Sequence, residues 1–366
     1  MIKVVVVDDS AFMRKALSSM LEKDPGITVV ATARNGEEGL ELIRKHDPDV
    51  VTLDIEMPRM DGLTALRHIM MEMPRPVLMV SSLTMEGAEA TLKAMELGAV
   101  DFIPKQLSKV SLDIIKIEKD LQDKVKAISR RKMPVRPLRP APVARPVTSG
   151  LAKGAAVPSR PVAAKATPLV ARSGKPVVDA VAIGVSTGGP PAVQKVLSVL
   201  PADFPVGIVI AQHMPAAFTG PFAKRLDSVC AISVKEAEHG DLLTPATAYI
   251  APGGKHVRIA NNRGRLVVEV TTDPADALYK PSANVLMESA GLALGRRSLG
   301  VILTGMGSDG MEGMKVLKQK GGRALAQSDS TCVVYGMPKA IVDAGLADGI
   351  IDIDDMAEAI MNAVYK

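Results

Sequence analysis

The chain has 366 residues, 47% of them hydrophobic and 23% charged, which is ordinary globular usage and excludes a wholly disordered polypeptide. No apolar run reaches the ~18 residues of a membrane helix, and two cysteines, Cys230 and Cys332, make neither a disulfide framework nor a four-cysteine zinc site, so they fit reduced thiols in a cytoplasmic protein. The net charge of +5 is local: residues 1–130 hold 18 Lys/Arg and 21 Asp/Glu, residues 177–366 hold 17 and 19, and residues 131–176 hold 10 and none, so neither folded part is a basic nucleic-acid surface.

At ~100–200 residues per domain the length predicts two domains, or three. The opening MIKVVVVDDS is unlike a signal or transit peptide and suits a first β-strand. From there strands and helices alternate. Strands are expected at 3–7, 27–31, 50–53, 77–80 and 100–103. Helices are expected at 10–23, 36–45, 62–71 and 87–97, with a last one running to about 130. Five strand–helix repeats predict a five-stranded, doubly wound parallel sheet. Residues 131–176 contain nine prolines, spaced so that no helix or central strand survives, and read as a linker.

The second half opens with an apolar strand over 178–185. Further strands are expected at 206–212, 232–236, 248–251, 298–303 and 323–326, with a hairpin at 256–259 and 265–270. Helices are expected at 190–199, 218–228, 282–294, 310–319 and 338–344. This half reads as a Rossmann-like, mostly parallel α/β domain with a β-hairpin. The domains are thus 1–120, a helix end and linker over 121–176, and 177–366.

Ligands of open α/β sheets bind beyond the carboxyl ends of the strands. In the first half that edge collects Asp8, Asp9, Asp54, Ser81 and Lys105. Any one Asp there reads as a helix cap, but the set does not. Three close carboxylates repel unless a hard divalent cation such as Mg²⁺ neutralises them. A carboxylate beside Mg²⁺, flanked by Lys and Ser, suits a phosphoryl acceptor.

VVVDDS, TLDIEMPRMDG, MVSS and DFIPK, in that order over residues 1–120, resemble the receiver domain of two-component response regulators. The resemblance implies Asp54 as phosphoacceptor and Mg²⁺ held by Asp8, Asp9, Asp54 and the Glu56 carbonyl. It also implies Lys105 on the phosphoryl group and Ser81 with Phe102 as the conformational switch. The family usually has Lys-Pro where this chain has Lys105-Gln106.

In the second half, Gly184-Val185-Ser186-Thr187-Gly188 satisfies G-x-S-x-G at a strand-to-helix turn. By itself the motif fits a nucleophile elbow or a phosphate-binding glycine turn. His213 ends the next apolar strand, so it shares an edge with Ser186 and reads as a base. His239 and His256 fall in turns or loops. Asp309 follows the strand at 298–303 through a Gly-rich turn and fits the third position. Ser…His…Asp is not the order of α/β-hydrolases. A dinucleotide site lacks G-x-G-x-x-G after the first strand.

GVSTGGP, AQHMP, SVKEAEHGD, YIAPGGKH, GVILTGMGSDG and CVVYGMPKA resemble the catalytic domain of the chemotaxis protein-glutamate methylesterases over about 177–360. The resemblance implies Ser186 as nucleophile, His213 as general base then acid, Asp309 as orienting carboxylate, and the Thr187 and Met306 amides as oxyanion donors. It implies hydrolysis of glutamate γ-methyl esters on chemoreceptors, with deamidation of receptor glutamines. A chemotaxis histidine kinase would donate phosphate to a monomeric, cytoplasmic enzyme, and the esterase step needs no cofactor. Two rivals remain. A DNA-binding regulator needs a basic helix-turn-helix output. A catalytically dead adaptor would have no use for Ser186, His213 and Asp309 together.

Overall fold

The computed structural model describes residues 1–105, 111–129 and 174–365, so the linker expected over 131–176 lies outside the described residues up to 173. The first half runs β1 (Ile2–Val7), α1 (Ala11–Glu22), β2 (Ile27–Ala33), α2 (Gly36–His46), β3 (Val50–Asp54), α3 (Gly62–Glu72), β4 (Val77–Ser81), α4 (Met85–Glu96), β5 (Asp101–Pro104) and α5 (Ser111–Ser129). The sheet has the order β2-β1-β3-β4-β5, and every pairing is parallel. β3 and β4 are buried along their whole length, as strands covered by helices on both faces must be. Ser10, Asn35, Asp61 and Thr84 cap α1 to α4, each side chain accepting from the amide three residues on. Each cap stabilises its helix start by roughly 1 kcal/mol. Together they fix where the helices begin and leave the residues just beyond β1, β3 and β4 on one open edge.

The second half contains β6 (Ala180–Val185), α6 (Gly189–Leu197), β7 (Gly207–Gln212), α7 (Ala216–Val229), β8 (Ser233–Glu236), β9 (Asp241–Leu242), β10 (Thr247–Ile250), β11 (His256–Asn262) and β12 (Arg265–Thr271). It continues with α8 (Ala283–Leu294), β13 (Ser298–Ile302), α9 (Met311–Gln319), β14 (Arg323–Gln327), α10 (Met337–Asp343), β15 (Gly349–Ile351) and α11 (Met356–Tyr365). Seven parallel strands have the order β15-β14-β13-β6-β7-β10-β8. The expected hairpin is β11–β12, and β9 extends it into a separate antiparallel sheet. The chain leaves β6 toward β7 and later returns to its other side as β13. β6 therefore sits at the topological switch point, where α/β sheets open a crevice.

The expected architecture holds, with differences in detail. The sequence left β9, β15 and α11 unassigned. β9 and β15 are only two and three residues long, too short for a period. α11 buries Met356, Ala357, Ile360, Met361 and Val364, a helical spacing that was readable. α7 starts two residues earlier than expected and keeps Pro221 inside it.

The two halves touch through α4, which packs on α7. Phe102 of β5 stacks on Phe218 of α7, ring centroids 4.4 Å apart at 20°. Arg225 of α7 pairs with Glu96 of α4. A stacked aromatic pair is worth about 0.5–1.5 kcal/mol beyond its buried area, while a half-exposed ion pair adds little.

Candidate functional sites at two sheet edges

On the first edge, Asp8 and Asp54 are buried and Asp9 is exposed, and their ligand oxygens lie within 4.8 Å of one another. Lys105 Nζ reaches both buried carboxylates, at 3.0 Å from Asp8 Oδ2 and 2.6 Å from Asp54 Oδ2. Backbone amides take the other oxygens: Ser10 N donates to Asp8 Oδ1 and Ile55 N to Asp54 Oδ1. The two Oδ2 atoms accept no well-aligned hydrogen bond and are held by charge alone. Burial pushes the Asp54 carboxyl up to about 6, against the pull of the Lys105 ammonium and with a push from Asp8. The two carboxylates outweigh the cost of burial for Lys105 and keep its ammonium charged above the usual range.

Three carboxylates against one ammonium leave an uncompensated negative cluster of oxygen donors. That fits a small hard divalent cation, Mg²⁺ above all. Glu56 follows in the turn after β3 with its side chain exposed, and its carbonyl accepts from no described residue. Ser81 is buried and donates to the Gly87 and Ser82 carbonyls at the start of α4. Phe102 is also buried and faces α7.

On the second edge, Ser186 and His213 follow β6 and β7, whose register pairs Val185 with Gln212, so the two residues come next to one another. The elbow is tight. Ser186 N donates to Thr304 O, its carbonyl accepts from Gly189 N and Gln212 Nε2, and Gly188 takes φ +75°. A Cβ at Gly305 would lie 2.8 Å from Ser186 Cβ, so the 304–310 turn can close on the serine only as glycine. Thr304 Oγ1 ties that turn to the Thr187 carbonyl at 2.9 Å. The Thr187 and Met306 amides donate to no described residue.

His213 Nε2 hydrogen-bonds Asp309 Oδ2 at 2.8 Å. Nδ1 is buried without a partner among the described residues, and no hydrogen bond joins it to Ser186. His213 is therefore held with Nε2 on Asp309 and Nδ1 open, the reverse of the chymotrypsin arrangement. Catalytic hydrogen bonds are often long until substrate binds.

Asp309 receives three more bonds, all from the start of α8. Ser282 Oγ and Asn284 N reach Oδ1 at 2.9 and 3.1 Å, and Ala283 N reaches Oδ2 at 2.6 Å. Burial pushes this carboxyl up, but His213 and the α8 amides outweigh it and hold the group below the usual carboxylate range. The Tyr279 ring stacks on His213, centroids 4.2 Å apart at 10°.

Ser282 and Tyr279 escaped the sequence reading. Ser282 had a signal, since it opens an expected helix and a helix N-terminus favours an anion. Tyr279 had none beyond being one of four tyrosines. Both cysteines are free, and burial pushes each thiol up to about 12, so neither competes as a nucleophile.

The response regulator receiver domain family matches residues 4–115, and the CheB methylesterase family matches residues 181–360. The chain is 82% identical, over all of both chains, to the protein-glutamate methylesterase/protein-glutamine glutaminase 1 of Oleidesulfovibrio alaskensis. It is 76% identical, again over all of both chains, to the corresponding protein 2 of Nitratidesulfovibrio vulgaris. Among solved structures, the catalytic domain of Thermotoga maritima CheB methylesterase aligns at 36% identity with a TM-score of 0.50, covering 51% of this chain and 99% of that one.

Two outcomes follow from these geometries. Asp54 can serve as a cation ligand only when ionised. Mg²⁺ affinity by titration calorimetry should be full near pH 7 and fall, by up to about tenfold per unit, as pH drops below about 6. Affinity that stays flat down to about pH 5 contradicts the assignment. Asp309→Asn replaces an acceptor of four hydrogen bonds with a group that is half donor. It should slow phosphonate labelling of Ser186, read by mass spectrometry, by about 10³-fold or more. Labelling within about tenfold of wild type would remove Asp309 from the site.

Proposed function

The chain belongs to the CheB methylesterase family and carries a response-regulator receiver domain in front, and from that premise we propose that it is a phosphorylation-activated serine esterase of chemotaxis adaptation. Its substrates on this reading are glutamate γ-methyl esters on chemoreceptors, and receptor glutamines for deamidation. It would work in the cytoplasm as a monomer, phosphorylated by a chemotaxis histidine kinase. Among the described residues no helix is long and apolar enough to cross a membrane.

The observation that carries the reading is the His213–Asp309 bond beside Ser186 on the next strand end. Ser186 Oγ attacks the ester carbonyl and gives its proton to His213 Nδ1. Asp309 keeps Nε2–H and stabilises the imidazolium. The Thr187 and Met306 amides, both without another acceptor among the described residues, take the oxyanion. Methanol leaves with the proton from Nδ1. Water then enters, deprotonated by the same nitrogen, and frees the glutamate and Ser186. For glutamine the leaving group is ammonia.

Asp54 is the proposed phosphoacceptor. Asp8, Asp9, Asp54 and the Glu56 carbonyl would hold Mg²⁺, which when bound supplies positive charge to the phosphoryl oxygens. Lys105 already sits between Asp8 and Asp54, so it meets the new charge directly. Ser81 and Phe102 are the proposed switch pair: a phosphoryl group draws Ser81 away from α4, and Phe102 moves from its place against Phe218. α7 begins three residues after His213, so that move bears on the catalytic edge. Burial raises the Tyr279 phenol, and Asp120, Asp309 and Asp123 raise it further, so charges of α5 are felt at the ring that covers His213. A docked receiver therefore restrains access, and phosphorylation releases it. A few kcal/mol is enough for such a switch.

The test is methanol release from methylated receptor. Ser186→Ala should abolish it, since loss of a triad nucleophile costs several orders of magnitude. Asp54→Asn should keep the basal rate and lose the response to a small phosphodonor. An alanine variant with more than about a tenth of wild-type turnover excludes the serine mechanism.

A further inference from the structure

His256 opens β11 and is wholly buried. Both of its ring nitrogens are engaged. Nδ1 accepts from the Ser282 amide at 3.1 Å, and Nε2 faces the Pro274 carbonyl at 3.2 Å. A backbone amide only donates and a carbonyl only accepts. The partners therefore fix one state, a neutral ring with its proton on Nε2.

Each bond ends on a different support of His213. Ser282 caps α8, and its hydroxyl and the next two amides hold Asp309. Pro274 lies in the 273–281 segment that carries Tyr279, whose ring covers the His213 imidazole. Lys280 to Ala275 O closes that segment on itself, and it is otherwise tied to its surroundings mainly through its backbone, by Arg258 to Asp273 O, Asp273 N to Thr271 Oγ1 and Gly254 N to Lys280 O. His256 thus joins the element below the base to the element above it.

We propose that His256 is a positioning residue for the esterase: as a neutral ring it clamps the α8 N-terminus and the Tyr279 segment around His213, and its protonation opens the clamp and turns the site off in acid. A proton on Nδ1 would point at the Ser282 N–H and break that bond. The α8 start, and with it Asp309, then loses its anchor. Burial opposes protonation most, and Lys280 and Arg258 add to it, while the Pro274 carbonyl and Asp309 favour it; the balance sits below the ordinary histidine value. The unfolded chain takes up this proton near about pH 6.5, so stability falls as pH drops from there to the lower folded value.

The proposal rests on the esterase reading, and the experiment separates the two. Full-length wild type and His256→Asn are assayed without phosphodonor from about pH 5 to 8, by methanol release from methylated receptor and by phosphonate labelling of Ser186. Asn offers Oδ1 to the Ser282 amide but has no group that titrates. At neutral pH the variant should lose about tenfold in kcat with KM unchanged, for the missing bond to Pro274. On the acid side the ratio of variant to wild-type kcat/KM should climb by up to about tenfold per pH unit, because only the wild type gains a proton there. A flat ratio overturns the proposal. If neither protein releases methanol, the esterase reading fails, and the labelling ratio still decides the role of His256. If His256→Asn does not fold, long-range ¹H–¹⁵N spectra of the wild type decide it. The Nε2–H tautomer at neutral pH, with protonation in step with the loss of labelling, supports the clamp. The other tautomer, or protonation that leaves labelling unchanged, overturns it.

Discussion

Both sites depend on how buried carboxylates at the ends of parallel strands are compensated. A buried carboxylate without donors is costly, and the group protonates or recruits a partner. At Asp309 the compensation is complete: four donors, three of them from the start of α8, saturate both oxygens. At Asp8 and Asp54 it is not. One ammonium serves two buried carboxylates with an exposed third beside them, and one oxygen of each lacks a well-aligned donor. The opposite shifts of Asp309, held low, and Asp54, pushed up to about 6, are the same physics with different donor counts.

The contrast fits the two proposed tasks. An orienting carboxylate must stay ionised and still through a reaction cycle, so a saturated cradle on a rigid helix end suits it. A site that binds a cation and a phosphoryl group must have charge left to neutralise and room to rearrange. Between the sites lies the contact of α4 with α7 and the stack of Phe102 on Phe218. It combines that stack with the Arg225–Glu96 ion pair and a groove lined by Glu89, Lys93, Glu96, Lys224 and Arg225, and the two halves are both mildly acidic, so long-range charge adds little to hold them together. A modest interface of that kind is one that a covalent phosphoryl group can shift.

The residues that end strands were legible because a parallel sheet converts strand order into position. VVVDDS, TLD, GVSTGG and AQH each carry an apolar run straight into a reactive side chain, and register does the rest. Of the supports only Ser282 left a trace, as the start of an expected helix, and which anion it would hold was not legible. Ser282, His256 and Tyr279 come from the insertion and loops between β10 and β13, and their role depends on a fold-level return to β6 that no local pattern records. The choice of Nε2 for Asp309 was equally hidden, since it depends on the side from which the 304–310 turn approaches the ring. α11 was missed despite a readable period.

On the proposed function, a complete catalytic edge is held in check by the receiver packed beside it. The direct measurement is basal methanol release from methylated receptor, compared between the full chain and the same chain cut within residues 131–176 and freed of its receiver. The relative from Thermotoga maritima forms crystals as the catalytic domain alone, so such a fragment is a reasonable object. The fragment should show a faster basal rate than the unphosphorylated full chain, with no response to a phosphodonor. Equal basal rates would contradict it and require phosphorylation to act by a route other than release of the catalytic edge.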